Sequence, residues 1–295
     1  MHKYLRTIGF SEVKKQKQFR ELIRDVVEHF DEKQTVEKQG DGIFAEFTRY
    51  YAGECGLSVC GQFEEDGQFH VEYCYPLMHG EKITTENLPV TIERHADKES
   101  FAGACDDLRI GVTLIFYLQD PVKHMLRHQD EDLQNHEITE ERPLILTALA
   151  RKGTILLPLE KDKEAVKVEK ELSKNRSNLL AAAMDGDEDA MESLTMEEMD
   201  TYSMISERIV KDDVFTIVDS YFMPYGIECD QYNMMGEIQD LETLKNKVTG
   251  ERIVKMTLDC NDLTIQACIN EKDLLGEPAV GRRFKGVVWL QGRLQ

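Results

Sequence analysis

Hydrophobic positions near the start of the chain recur at intervals of three and four, which is the repeat of one face of an α-helix. The apolar residues of this stripe are Phe19, Leu22, Ile23, Val26, Val27 and Phe30. Ser11 is a suitable N-cap because its hydroxyl oxygen can accept a hydrogen bond from a free backbone N–H. The pattern therefore predicts an amphipathic helix whose apolar stripe packs against another part of the fold.

Segments rich in β-branched and aromatic residues follow this helix. They are IFAEFTRYYA, GLSVCGQF, QFHVEYCYPL, LPVTIERH, RIGVTLIFYL, RPLILTALA and GTILLPLE. A parallel sheet would alternate such segments with helices, and that rhythm is missing, so they indicate an antiparallel sheet with the first helix on one face. We predict that residues 1–160 form an α+β domain built on this antiparallel sheet.

The apolar spacing becomes helical again after residue 160, which predicts a helical connector over residues 161–213. Within it, the stretch DGDEDAMESLTMEEMD at Asp185–Asp200 carries eight acidic side chains. An EF-hand calcium loop needs glycine at its sixth position and glutamate at its twelfth, where this stretch has Ala190 and Met196. We interpret the acidic residues instead as helix caps, with Asp187 accepting hydrogen bonds from the first N–H groups of a helix.

Residues 214–295 return to strand-like segments, beginning with VFTIVDSYFM and ending with FKGVVWLQGRL. Gly236 lies inside one of them, and a glycine within a strand suits the bend that closing a barrel requires. A short helical segment, EKDLLG, separates the third and fourth strands of this region. This order is similar to that of a five-stranded OB-type barrel, so we predict a small β-barrel, OB-like in form, as the C-terminal domain.

The charge of the chain argues against two classes of partner. Its 36 lysines and arginines face 56 aspartates and glutamates, for a formal net charge of −20. None of the predicted domains is basic, so phosphate neutralisation has no electrostatic support, and we expect neither a nucleic acid nor a membrane as partner.

The N-terminus and the cysteines indicate the compartment. MHKYLRTIGF lacks the apolar run of a signal peptide, and no segment approaches the roughly 20 apolar residues of a membrane span. The seven cysteines are scattered through apolar segments, a distribution typical of buried, reduced thiols. We therefore predict a cytoplasmic protein.

His124 and His128 are candidate metal ligands, because they stand four residues apart after Pro121, where a short helix is predicted. However, no glutamate follows the first histidine directly, the chain has no Cys-x-x-Cys pair, and the surrounding residues are charged. We interpret both histidines as solvated surface residues and predict no metal and no cofactor. Motifs for a serine nucleophile, a phosphate loop or a dinucleotide are also missing, so the sequence identifies no catalytic residue.

The stretch YFMPYGIECDQYNMMGEI, Tyr221–Ile238, is rich in tyrosine and methionine and joins the connector to the predicted barrel. Exposed tyrosine and methionine side chains favour adaptable protein contacts. The candidate partner-binding residues are Tyr221, Tyr225, Tyr232 and Met234. The competing interpretation is an ordinary joint between domains, packed with aromatic residues.

Four phrases of the chain, MHKYLRTIGF, MDTYSMISERI, FMPYGIECDQYNMMGEI and GEPAVGRRFKGVVWLQGRL, carry a resemblance to a known family. They are similar to phrases in a family of conserved hypothetical proteins from anaerobic Gram-positive bacteria, over nearly the whole chain. The resemblance implies a bacterial, cytoplasmic protein. It implies no particular activity, cofactor or catalytic residue.

Two functions are compatible with the sequence. The first is a non-enzymatic protein-binding or regulatory module, which the missing catalytic motifs and the tyrosine- and methionine-rich joint favour. The second is an enzyme of unrecognised class that uses carboxylate and histidine residues in a cleft between domains. A pocket lined by convergent acids or histidines would favour the enzyme, and an exposed apolar patch would favour the module.

Overall fold

The computed structural model describes residues 2–38, 42–86, 88–107, 109–110, 112–129, 137–158 and 219–295, together with residues 182, 187, 189–190 and 193. Strands dominate this part of the chain and helices are few, which agrees with the α+β class in its broad form. Among these residues, no helix is both long enough and apolar enough to cross a bilayer.

The described elements are two α-helices, fifteen strands and two short 3-10 helices. The helices are α1 (Gln16–Glu28) and α2 (Pro121–Arg127), and the 3-10 helices are Leu5–Ile8 and Glu271–Asp273. The strands of the first half are β1 (Glu32–Lys38), β2 (Gly42–Ala52), β3 (Cys55–Phe63), β4 (Phe69–Met78), β5 (Pro89–Arg94), β6 (Phe101–Asp107), β7 (Val112–Leu118), β8 (Ile138–Glu141) and β9 (Leu144–Leu156). The strands of the second half are β10 (Tyr221–Pro224), β11 (Gln231–Lys245), β12 (Arg252–Cys260), β13 (Leu263–Asn270), β14 (Leu274–Leu275) and β15 (Arg283–Leu294).

Strands β1 to β4 form an antiparallel sheet in chain order. Helix α1 packs on β2 and β3, and Phe19, Leu22 and Val26 of the predicted stripe are buried. Asp25 on the same helix pairs with Arg49 of β2 at 2.6 Å, which ties the helix to the sheet.

The predicted cap of α1 is wrong. The helix begins at Gln16, and the side chain of Gln18 accepts a hydrogen bond from the N–H of Lys15 at 3.0 Å. Ser11 lies outside the helix because its hydroxyl donates instead to the carboxylate of Glu251 at 2.5 Å. Phe30 lies beyond the last turn and is exposed, so the apolar stripe is shorter than predicted.

A larger sheet contains the remaining strands and closes on itself in one region. Its order is β10-β11-β12-β13-β9-β15-β7-β6-β5-β8, and β11 also pairs with β15. That extra pairing closes β11, β12, β13, β9 and β15 into a five-stranded barrel. Gly236 lies in β11 where the chain is close to β12, because a Cβ there would lie 2.6 Å from the carbonyl oxygen of Asp259.

Strand β9 differs from its prediction in two ways. The sequence predicts two strands, at RPLILTALA and GTILLPLE, and the structure has one strand from Leu144 to Leu156. It also pairs in parallel with β13, and β15 pairs in parallel with β7, although an antiparallel sheet is expected. Strand β9 lies in the predicted first domain, residues 1–160, and it completes the barrel of the predicted third domain, residues 214–295. The boundaries at residues 160 and 213 stay predictions.

Most of the predicted helical connector, residues 161–213, lies outside the described residues, and so does most of the acidic run. Of that run, the carboxylate of Asp187 accepts hydrogen bonds from the N–H groups of Asp189 at 3.0 Å and Ala190 at 3.1 Å. This is the arrangement expected of an N-cap.

A buried polar junction holds the start of α2 against both sheets. The amide of Gln119, just before α2, donates to the carbonyl oxygen of Met78 in β4 at 3.1 Å and to the side chain of Gln291 in β15 at 2.8 Å. Gln291 in turn donates to the carbonyl oxygen of Pro76 at 2.8 Å. These three buried hydrogen bonds hold the residue before α2 against β4 and β15.

Candidate functional site

Helix α2 carries most of the candidate chemistry. Asp120 precedes it with a positive φ of 55°, which is uncommon for a residue other than glycine and is held here by the surrounding structure. Pro121 occupies the first turn, where its missing N–H costs no helical hydrogen bond. The helix packs on β1 and β2, and its inner face buries Val122, His124 and Met125.

His124, His128 and Glu140 form a cluster at the end of α2, here called the histidine–glutamate cluster. The two histidines are one helical turn apart, so their rings lie on one face, with centroids separated by 4.8 Å. Nδ1 of His124 and Nε2 of His128 each lie 3.1 Å from the same oxygen, Oε1 of Glu140. Glu140 reaches them because β8 pairs with β5, which places its carboxylate against the helix.

Arg127 completes the surroundings of this carboxylate. Its guanidinium lies 3.4 Å from the second oxygen of Glu140, and it also donates to the carbonyl oxygen of Leu294 at 3.3 Å. Burial alone would raise the pKa of Glu140, but the hydrogen bonds from both imidazoles and the charge of Arg127 together lower it to about 2. Glu140 is therefore ionised over the whole physiological range.

A second carboxylate, Glu46 of β2, lies near the start of α2 in different surroundings. Its Oε1 accepts hydrogen bonds from the hydroxyls of Tyr75 at 2.7 Å and Ser58 at 3.0 Å. Burial and the nearby negative charge of Asp120 raise the pKa of Glu46 to about 7. Glu46 is therefore poised between its neutral and charged forms near neutral pH.

The same network continues from Asp120 towards β2. The Nε2 atom of His79 lies 3.4 Å from Asp120, and its Nδ1 atom lies 2.8 Å from the hydroxyl of Tyr50. Lys123 donates to Asp120 at 2.8 Å. Burial opposes ionisation of Asp120, but the contact with His79 and the charge of Lys123 outweigh it and lower the pKa of this carboxyl. We call Glu46, Ser58, Tyr75, Asp120 and His79 the buried acid network.

The structure tests the predicted solvent exposure of His124 and His128. The interpretation of both as solvated is wrong for His124, which is buried because the packing of β8 and the edge of Phe101 cover it. Asp130, Glu131 and His136, which are close to the two histidines in the sequence and could supply further ligands, lie outside the described residues. Cys105 is buried in β6 and does not belong to the cluster.

The four candidate partner-binding residues are divided between surface and core. Tyr232 and Met234 are buried, and the hydroxyl of Tyr232 donates to the carbonyl oxygen of Ile115 at 3.1 Å, so both are packing residues. Tyr221 is partly buried and donates to the side chain of Asn233 at 3.2 Å. Tyr225 is exposed, at 48% of its surface.

The exposed face of this region includes residues that the sequence did not single out. Strands β10 and β11 form an antiparallel hairpin, closed by a hydrogen bond from the N–H of Tyr225 to the carbonyl oxygen of Gln231 at 2.8 Å. Around its turn, Met223 is 51% exposed and Ile227 is fully exposed. Met223, Tyr225 and Ile227 are referred to below as the hairpin surface.

Glu46 and Glu140 are the functional candidates that sequence reasoning missed. In β8, Ile138 and Glu140 are buried while Thr139 and Glu141 are exposed, but the sequence ITEE has one apolar residue and does not mark Glu140 as facing inward. In IFAEFTRYYA the lone acid among apolar residues marks Glu46 as a buried charge that needs partners. Neither pattern identifies the partner, because Tyr75, His124 and Asp120 reach these carboxylates only through the tertiary fold.

Comparison with known families gives one match, over residues 5–292. The matching family is described as a domain of unknown function from an E. rectale gene description, DUF3881. The chain belongs to this family. The family resemblance inferred from the sequence is thereby confirmed for nearly the whole length, and both clusters around α2 lie inside the DUF3881 region. No curated protein and no solved structure matches this DUF3881 chain.

Proposed function

We propose that this protein is a cytoplasmic protein-binding or regulatory module that contacts its partner through the hairpin surface. The observation that carries the proposal is the exposure of three large apolar side chains, Met223, Tyr225 and Ile227, within five residues. Exposed apolar groups clustered in this way favour a protein contact, and methionine and tyrosine adapt to partners of different shape.

The charge of the chain suggests the chemistry of the partner. With a net charge of −20, the protein attracts basic surfaces and repels acidic ones. We therefore expect a partner segment that presents an apolar side chain to the hairpin surface, with lysine or arginine on either side of it.

The five-stranded barrel supports an OB-like assignment as part of this proposal. Strands β11, β12 and β13 are consecutive, a 3-10 helix follows at Glu271–Asp273, and β15 comes after the two-residue strand β14. The remaining strand of the ring, β9, precedes the others in the chain, so the barrel would be an OB-like form with its strand order permuted. Ile238 and Asp240 mark a bulge in β11, where the long strand bends around the ring.

The surroundings of β12 and β13 support the expectation that nucleic acid is not a partner. OB-folds bind oligonucleotides on the face of their second and third strands. Here the N-terminal half of the chain lies against those strands, with Lys255 paired to Glu54 at 3.0 Å and Gln266 accepting the N–H of Glu81 at 2.6 Å. Two arginines near the start of β15 are also engaged, since Arg282 donates to the carbonyl oxygen of Glu277 at 2.6 Å and Arg283 donates to that of Leu157 at 3.1 Å.

Site-specific crosslinking tests the module. A photo-reactive amino acid at Ile227 is expected to link the protein in native cells to one main partner, and the same group at Val248, an exposed apolar residue on the turn between β11 and β12, is expected to link to none. The variant Tyr225→Ser is expected to reduce the crosslink at position 227 at least tenfold. Equal crosslinking at positions 227 and 248 would contradict the proposal.

The buried acid network favours a second candidate, an enzyme that uses carboxylate and histidine residues. Glu46, with a pKa of about 7, has the proton affinity of a general acid or base. The test is a panel of ester, amide and phosphoester substrates with wild type and Glu46→Gln. Turnover that the variant loses while it keeps its fold supports the enzyme, and no turnover by wild type removes this candidate.

A further inference from the structure

The histidine–glutamate cluster has the donor set of a metal site. Among the described residues it is one group in which three potential ligand atoms from histidine and glutamate all lie within 4.8 Å of one another. From these atoms we infer that His124, His128 and Glu140 bind a divalent transition-metal ion, with Zn²⁺ as the expected occupant. This inference is independent of the hairpin surface and goes beyond the proposed protein-binding role.

The spacing of the three atoms fits a small ion. Zinc holds imidazole nitrogen and carboxylate oxygen at about 2.0–2.2 Å, and tetrahedral geometry then separates neighbouring ligand atoms by about 3.4 Å. Each imidazole nitrogen lies 3.1 Å from Oε1 of Glu140, so each nitrogen–oxygen pair needs to separate by only a few tenths of an ångström, and all three atoms already lie within 4.8 Å of one another.

The type of ligand decides between classes of ion. Calcium and magnesium take oxygen ligands, and two of the three donors here are imidazole nitrogens. Two histidines and one carboxylate are typical of zinc sites that keep one position for water, and also of sites for Fe²⁺. Zn²⁺ is expected first because divalent sites of nitrogen and oxygen bind it more tightly than Fe²⁺ or Mn²⁺.

Binding requires a defined placement of the imidazole protons. In the structure, Nδ1 of His124 and Nε2 of His128 both lie at hydrogen-bond distance from Oε1 of Glu140, so an ion replaces these two hydrogen bonds. A nitrogen that holds an ion offers its lone pair, so a proton on either of these nitrogens moves to the other nitrogen of the same ring or to solvent.

Arg127 is a positioning residue for this site. Its guanidinium lies 3.4 Å from the second oxygen of Glu140, so only Oε1 is available to the ion, and the carboxylate binds through one atom. Outer contacts of this kind fix the orientation of a ligand. His128 is the most accessible ligand, with 13% of its side chain exposed against 3% for His124 and 7% for Glu140, so an ion enters from its side.

Zinc titration of the full-length protein, stripped with a chelator, tests the site. Competition with a chromophoric chelator is expected to give one equivalent of Zn²⁺ for wild type. His128→Asn and Glu140→Gln are expected to weaken this binding at least tenfold. His70→Asn is the matched control, since it removes an exposed imidazole from β4, a strand that does not belong to the cluster, and it is expected to leave the affinity unchanged.

Co²⁺ substitution adds a readout that a purely structural role would not change. Wild type with Co²⁺ is expected to show visible absorption bands that change in His128→Asn. If Glu140→Gln does not fold in chelator, His128→Asn decides the question, because its side chain lies at the edge of the cluster. Binding of less than about one fifth of an equivalent by wild type, or equal loss in His70→Asn, would overturn the inference.

Discussion

Glu46 and Glu140 are both buried carboxylates beside helix α2, one near its start and one near its end, yet their pKa values move in opposite directions. The pKa of Glu46 rises to about 7 and that of Glu140 falls to about 2. Burial acts on both in the same sense, so it cannot explain the difference.

The difference comes from the partners. Glu46 accepts hydrogen bonds from two neutral hydroxyls and feels the negative charge of Asp120. Glu140 is surrounded by two imidazoles and a guanidinium. The groups around a buried carboxyl therefore determine whether it is neutral or charged. Of these two acids, the charged one, Glu140, is suited to bind a cation.

The largest expected effect is the pH dependence that Glu46 introduces. Its pKa is raised from 4.5 to about 7 in the folded state, so its stabilising contribution is complete below pH 4.5 and is lost as the pH rises to 7. The loss is roughly 3 kcal/mol. In Glu46→Gln, urea unfolding at pH 5 and pH 9 is expected to show a variant that gains about 3 kcal/mol relative to wild type between the two pH values. A constant difference would show that Glu46 titrates normally.

The same substitution at Glu140 is expected to lower the free energy of unfolding, whereas Glu46→Gln is expected to raise it relative to wild type as the pH rises. Glu140→Gln keeps the shape of the side chain but removes the negative charge between the imidazoles and Arg127. We expect a loss of about 2 kcal/mol at pH 8, since removing one partner of a buried ion pair leaves the others uncompensated. Urea unfolding in the presence of chelator measures this without any contribution from metal. A neutral or stabilising effect would remove the contrast between the two acids.

Tyr75→Phe is expected to have a smaller effect, because it removes a single hydroxyl. That hydroxyl donates to Glu46 and accepts the N–H of Asp120 at 3.3 Å, and the loss is expected to be about 1 kcal/mol. A double-mutant cycle with Glu46→Gln checks whether the two groups act together. Additive changes in the free energy of unfolding would mean that the side chains of Tyr75 and Glu46 do not interact.

Ile227→Ser is expected to have the smallest effect on stability, within about 0.5 kcal/mol, because the side chain is fully exposed. Thermal unfolding of the variant measures it. The small effect would contrast the exposed hairpin surface with the buried residues around α2. A large loss of stability would mean that Ile227 packs against the rest of the chain and is not available to a partner.

The sequence predicted the elements whose signal is local. The amphipathic helix and six of the nine described strands before residue 160 follow from spacing and residue type, and Pro121 marks the start of α2. Strand β1, with the charged sequence EKQTVEK, carries no such signal and was missed, because its pairing with β2 rather than its composition makes it a strand. The cap at Ser11 failed for a related reason, since Glu251 competes for the same hydroxyl from the far end of the chain.

The candidate sites were less predictable than the elements. The four-residue spacing of His124 and His128 indicated a shared helical face, which the structure has. The third member, Glu140, is brought to them by the pairing of β8 with β5, for which the sequence offers no local clue. Tyr232 and Met234 were predicted as surface residues from composition, and the hairpin instead turns them inward, because residue type alone does not determine which face of a strand is buried.

The position of β9 in the barrel has a consequence for synthesis on the ribosome. Its two neighbours in the ring, β13 and β15, are translated long after it. A nascent chain therefore exposes the unpaired N–H and C=O groups of β9 until both later strands have been made. The interval between β9 and β15 is thus the period of synthesis in which this architecture is most open to aggregation.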